Sequence, residues 1–228
     1  MFTGFPEETL QFFLDIRFHN NSTYFDEHRD RYHQDVQAPF YAFIEALGPA
    51  MQKIDPLMEI RPHKCLARIR RDTRFTKDKS PYRDHLWLCF RRAAEPREGS
   101  VNFFFELSPR DVSWGFGTWG ENKPMMEVLR RRIEADPEGV GGIIRSCDLE
   151  KHHLLCYNDT YKRMALPEGV PEYLRPWYAA RSIYVGRADT KLEWAASDQL
   201  VKRVLRDFRA LAPLYKMLRG ICDTISTD

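Results

Sequence analysis

The sequence predicts an α+β fold, an antiparallel sheet of at least four sequential strands packed by N-terminal and C-terminal helices. Two observations carry this. Apolar residues recur at helical spacing near both ends of the 228-residue chain. Between them, four short apolar or aromatic runs are joined by loops too short for crossover helices, which makes neighbouring strands antiparallel.

After Pro6, the apolar set Leu10, Phe13 and Leu14 marks a first helix. Phe25, His28, Tyr32 and Val36 mark a second, which Pro39 is expected to end. Pro39 then suits the first turn of a third helix, whose stripe is Phe40, Phe43, Ile44, Leu47, Met51 and Ile54. The strands are expected at 65–71 (CLARIRR), 85–90 (HLWLCF), 101–107 (VNFFFEL) and 112–118 (VSWGFGT). Ser108, Pro109, Arg110 and Asp111 supply the turn between the last two. A helix over 124–135 follows, with Met125, Val128, Leu129 and Ile133 on one side, then an ambiguous stretch over 139–176 and a strand near 181–185. The chain closes on a helical stripe from Val201 through Phe208, Leu214 and Leu218 to Cys222, with a kink or break expected near Leu211 because Pro213 lies inside it. No repeat or linker divides the chain, so one domain over 1–228 is expected.

Composition excludes several classes. A chain 43% hydrophobic and 13% aromatic can bury a core, which argues against disorder. No apolar run reaches the roughly 18 residues of a membrane helix, and the start MFTGFPEETLQFF lacks the charged and apolar regions of a secretion signal. A cytoplasmic protein with no membrane partner is expected. The five cysteines are odd in number and widely spaced, which argues for reduced, buried thiols.

The net charge of +2 conceals a concentration. Between Arg61 and Arg92 stand eleven basic residues and three acids, Asp72, Asp78 and Asp84, so the rest of the chain is mildly acidic. Period two over the first strand puts Arg68, Arg70 and Asp72 on one face with Leu66, and Cys65, Ala67, Ile69 and Arg71 on the other. Guanidinium forks match phosphate or carboxylate oxygens in pairs, and a buried arginine needs such a partner. The expected site is therefore a pocket for a small anionic, phosphate-bearing ligand. Arg68, Arg71 and Arg74 are its oxyanion clamps, Lys77 and Lys79 its supporting charges, and Tyr82, His85 and Asn21 its hydrogen-bonding contacts. Asp72 and His85, at the two mouths of one hairpin, are the candidate acid/base pair. The competing account is an internal ion-pair network, and for Asn20, Asn21, Ser22 and Thr23 it is helix capping.

Other constellations are weaker. Cys147, His152, His153 and Cys156 fit no known zinc spacing, so no metal is expected. Ser80 with His85 and Asp72 or Asp84 has the residue types of a triad but no nucleophile elbow. No Gly-rich nucleotide loop exists, which disfavours the common nucleotide folds; the sequence leaves the cofactor unknown. Nucleic acid is an alternative partner, with Phe75, Tyr82 and Trp87 as stacking rings, although a pI near 8.2 is below the value of about 9 that marks dedicated binders. A non-catalytic interaction module is a third reading.

The run RIRRDTRFTKDKSPYRDH, the upstream HNNSTYFDEHRDRYHQDVQAPFYAFIEAL and the later FFFELSP and GFGTW resemble the mostly bacterial family catalogued as domain of unknown function 2461, over about residues 4–218. The resemblance implies no activity. Its motif falls on Arg68, Arg71 to Phe75, Lys77 to Tyr82 and His85, and upstream on Asn20, Asn21, Phe25 and Tyr32. The chain departs from it by Ser22 and Tyr24, where the family pattern has an arginine and a tryptophan. The missing arginine would weaken or redirect any ligand it serves in relatives.

Overall fold

The computed structural model describes residues 2–225. The N-terminal helices are α1 (Glu7–Phe18), α2 (Ser22–Glu27), the short α3 (Arg29–Arg31), a π-helical turn (Tyr32–Gln37), α4 (Ala38–Ile54) and the single turn α5 (Pro62–Cys65). Strands β1 (Leu86–Phe90), β2 (Val101–Leu107) and β3 (Val112–Thr118) follow, then α6 (Lys123–Ala135) and α7 (Pro137–Ser146). The remainder comprises β4 (Leu155–Cys156), β5 (Asp159–Thr160), α8 (Arg175–Tyr178), β6 (Ala180–Ser182), β7 (Tyr184–Asp189) and α9 (Gln199–Ile225), with short 3-10 turns before α8 and α9. The main sheet is antiparallel with strand order β1-β2-β3-β7-β4, and β5 pairs with β6 separately. The α+β class expected from the sequence is the observed one.

The chain divides into two compact units. One holds the chain up to Phe90, then Phe104–Trp114 and Ala188–Leu205; the other holds Arg91–Phe103, Gly115–Arg187 and the chain from Arg206 onward. The first unit is built on phenylalanines. Phe105 of β2 lies 4.6 Å from Phe43, 5.8 Å from Phe5 and 6.3 Å from Phe40, ring centre to ring centre. All of these rings are buried, and each removes on the order of 2 kcal/mol of apolar surface from water. In the second unit, Phe103 packs 4.9 Å from Phe208 and 5.2 Å from Tyr215.

Four local expectations need correction. The buried face of α1 is Thr9, Phe12, Phe13 and Ile16, while Leu14 is 36% exposed. Pro39 stands in the first turn of α4, as expected, but no break precedes it: the chain passes from the π-turn directly into α4. Pro39 has no amide to give the Asp35 carbonyl, and the buried Thr9 hydroxyl donates to that oxygen instead. Helix α9 runs unbroken past Pro213, because Phe208, Leu211, Leu214, Tyr215 and Leu218 are all buried and together outweigh the roughly 3 kcal/mol cost of an internal proline.

The fourth correction concerns the first expected strand. Residues 66–71 form an extended segment held by two isolated antiparallel bridges, Leu66 to Leu88 and Arg70 to Tyr82, and not a continuous strand. Its alternation is nonetheless the expected one. Cys65, Ala67 and Ile69 are buried, Arg68 and Arg70 are exposed, and Arg71 is half-buried at the edge.

Among the described residues no disulfide joins two cysteines; Cys65, Cys89 and Cys147 are buried, Cys222 is half-buried, and Cys156 departs from expectation by being exposed. No described helix is long and apolar enough to cross a membrane.

Candidate functional site

A polar cleft of about 580 Å3 opens in the first unit, between the corner where α1 meets α2 and the hairpin of residues 71–87. One wall is Arg17 and Asn20. The other carries Arg71, Asp72, Thr76, Asp78, Ser80 and Tyr82, with Arg83, Asp84, His85 and Trp87 leading into β1.

Asn20 ties the walls together. Its side-chain amide donates to the Tyr82 carbonyl and accepts from the Tyr82 amide, both at 2.9 Å, mimicking a strand pairing across 62 residues of chain. The Tyr82 ring is buried and stacks on Phe25 with centroids 4.3 Å apart, so this residue anchors the hairpin through its ring and its backbone. Arg83 fixes the facing extended segment. Its guanidinium donates to the carbonyls of Arg68 (2.7 Å) and Arg70 (2.8 Å) and lies 4.6 Å from the centre of Trp87.

The acids of the hairpin are committed to neighbours. Asp72 accepts a two-pronged pair from Arg74, at 3.0 Å from Nε and 2.7 Å from Nη2, and that hydrogen bonding holds its carboxyl down at about 2. Asp78 accepts from Arg71, which holds it far below the usual carboxylate range, and its other oxygen caps the Ser80 amide at 2.9 Å. Asp84 pairs with His85, Oδ1 to Nδ1 at 2.9 Å, and with Arg17 at 3.6 Å. Burial works to raise the Asp84 carboxyl, but the hydrogen bond and charge of His85, with help from Arg17, outweigh it and the group ends lowered.

Of the residues expected from the sequence, Arg71, Asp72, Tyr82 and His85 line the cleft. Arg68 and Lys77 are exposed outside it, Arg74 is bound to Asp72, and Lys79 donates to the Thr73 carbonyl at 2.8 Å. Asn21 caps α2, its side-chain oxygen accepting the Tyr24 amide at 2.9 Å; the neighbouring Asn20 is the one on the cleft wall. Arg17 was not legible as a site residue, because it lies far outside the basic segment. Ser80 shares the cleft with Asp84 and His85, but no hydrogen bond joins Ser80 to His85 among the described residues.

Sequence reading also missed Glu106, the lone acid inside the aromatic strand β2. Burial pushes its carboxyl up; His85 pulls against the rise, while Asp111 and Asp84 add to it. A carboxyl raised on folding contributes stability that is present below its unfolded value and is lost as pH rises through its folded value. Glu106→Gln is therefore expected to raise the melting temperature near neutrality, with a gain that shrinks to nothing as pH falls through the ordinary carboxylate range. A melting series against pH checks this, and a gain independent of pH would refute it.

The fold and the cleft define an α+β protein with an arginine-bearing hairpin and a carboxylate–imidazole pair on one polar wall. A family model described as "Conserved hypothetical protein (DUF2461)" matches residues 8–217, and the chain belongs to this family. No curated protein matches the chain.

Proposed function

We propose that the cleft binds a small anionic, phosphate-bearing ligand and offers it acid/base chemistry through His85. The observation that supports this best is the meeting of Arg17, Arg71 and Arg83 with the Asp84–His85 pair around one opening. Each guanidinium has five donors. Arg71 gives one to Asp78, so the rest of its fork remains for an oxyanion. In the neutral tautomer that donates Nδ1–H to Asp84, Nε2 of His85 offers a lone pair to a bound hydroxyl or water. Asp72, held at about 2 by Arg74, is a poor base, so in this reading its part is to orient Arg74 and that of base passes to His85.

The cleft also carries Asp72 and Asp78, which would repel a bare anion and accept from hydroxyl groups. A ligand with both features, such as a phosphorylated sugar or polyol, fits better than inorganic phosphate.

The test is a thermal-shift screen of sugar phosphates, nucleotides, polyphosphates, inorganic phosphate and unphosphorylated sugars. A binder present at about 100 times its dissociation constant stabilises by about 2.7 kcal/mol. Phosphorylated, hydroxylated compounds are expected to raise the melting temperature more than phosphate or sugar alone. No shift with any phosphorylated compound would end the proposal.

A further inference from the structure

The hairpin bears a second group of cations that the cleft does not use. Every acid from residue 59 to 84 is already occupied: Glu59 by Arg61, Asp72 by Arg74, Asp78 by Arg71, and Asp84 by His85 and Arg17. Lys64, Arg68, Arg70 and Lys77 are exposed and have no carboxylate partner among the described residues. Arg68 and Arg70 lie on an extended segment whose opposite face, Ala67 and Ile69, is buried, so they project from the outer face at a spacing of about 7 Å; Lys64 stands on α5 just before this segment and Lys77 in the loop beyond it. At the tip of the same hairpin Phe75 is 89% exposed, with the Arg74 guanidinium 5.4 Å from its ring centre. A phenylalanine so exposed gains nothing for folding, and a run of unpaired cations repels itself. Both are relieved by the same kind of partner, one that brings regularly spaced negative charge and a flat apolar face.

We infer that the outer face of this hairpin binds single-stranded nucleic acid, with Lys64, Arg68, Arg70 and Lys77 along the phosphate backbone and Phe75 stacked on a base. The regular spacing of Arg68 and Arg70 along one face fits a chain of phosphates. A lipid surface fits less well, because one ring beside a guanidinium offers little to bury among acyl chains. Tyr82 takes no part, since its ring is buried against Phe25. The inference is independent of what occupies the cleft.

The test is fluorescence anisotropy of a labelled single strand, a matching duplex, and vesicles of phosphatidylserine and phosphatidylcholine, each with the full chain over a salt series. Neutralising four phosphates predicts a slope of about −3 for log affinity against log salt. Arg68→Glu with Arg70→Glu is expected to weaken the single strand at least tenfold. Phe75→Ala is expected to weaken it roughly 5- to 150-fold, the usual range for one stacked base. The exposed pair Arg209→Glu with Lys216→Glu, on α9, makes the same charge change elsewhere and is expected to have little effect. Circular dichroism and melting of each variant separate loss of binding from loss of fold. The inference is overturned if no single strand binds at low salt, if the α9 pair weakens binding as much as the hairpin pair, if Phe75→Ala leaves binding intact, if the duplex binds more tightly, or if vesicles bind and the single strand does not.

Discussion

Phe105→Ala is expected to destabilise the first unit by about 3–5 kcal/mol, near the upper range for deleting a buried aromatic ring. Phe105 is fully buried, and the rings of Phe5, Phe40 and Phe43 all pack on it, so its loss opens a cavity bounded by three rigid neighbours that refill it poorly. The effect should fall on the amides of α4 and β2, read by native-state hydrogen exchange, because the chain contains two compact units and a single global transition need not describe both. Phe105→Leu keeps most of the volume and is expected to recover more than half of the loss. A cost below about 1 kcal/mol, the level of an ordinary surface change, would show that this cluster does not hold the unit together.

Arg71→Ala is expected to cost the largest share of ligand affinity, on the order of 10- to 100-fold, as when a charged hydrogen-bond donor is removed. Two effects add. The guanidinium fork is lost, and Asp78 is left on the cleft wall with its charge unopposed, where it repels the incoming anion. Arg71→Lys restores the charge without the planar fork and is expected to recover only part of the affinity. Because Arg71 is half-buried and Asp78 largely solvated, the variant should fold, and its melting temperature without ligand should fall by little. Affinity titrations of the three proteins read the outcome, and equal affinities would remove Arg71 from the site.

Local pattern was legible in the sequence where short-range physics decides it. Strands β2 and β3 begin and end where their apolar runs do, and the split of Cys65, Ala67 and Ile69 from Arg68 and Arg70 follows from period two alone. What was not legible depends on partners distant in sequence. Asn20 and Asn21 look alike as helix punctuation, yet one caps α2 and the other clasps Tyr82, 62 residues away. The carboxylate that pairs with His85 is its own neighbour Asp84, and Asp72, equally close in the chain to the basic run, is taken by Arg74. Pro39 and Pro213 read as breaks because proline penalises an isolated helix; here burial on either side, and the Thr9 hydroxyl at the first of them, hold the helices continuous. The eleven cations proved to have several fates: Arg71 and Arg74 pair with acids of the hairpin, Lys64, Arg68, Arg70 and Lys77 are exposed without a carboxylate partner among the described residues, and Arg61 and Arg92 pair away from the cleft with Glu59 and Asp223.

The central claim is that the cleft holds a phosphate-bearing ligand through Arg71 beside His85. It is tested most directly by calorimetric titration of the most stabilising compound from the screen into the wild-type protein and Arg71→Ala, with Lys216→Glu as a remote charge control. The account predicts one site per chain, at least tenfold weaker binding in Arg71→Ala and an unchanged constant in Lys216→Glu. Binding of equal strength in Arg71→Ala, or no heat from any phosphorylated compound, would contradict it.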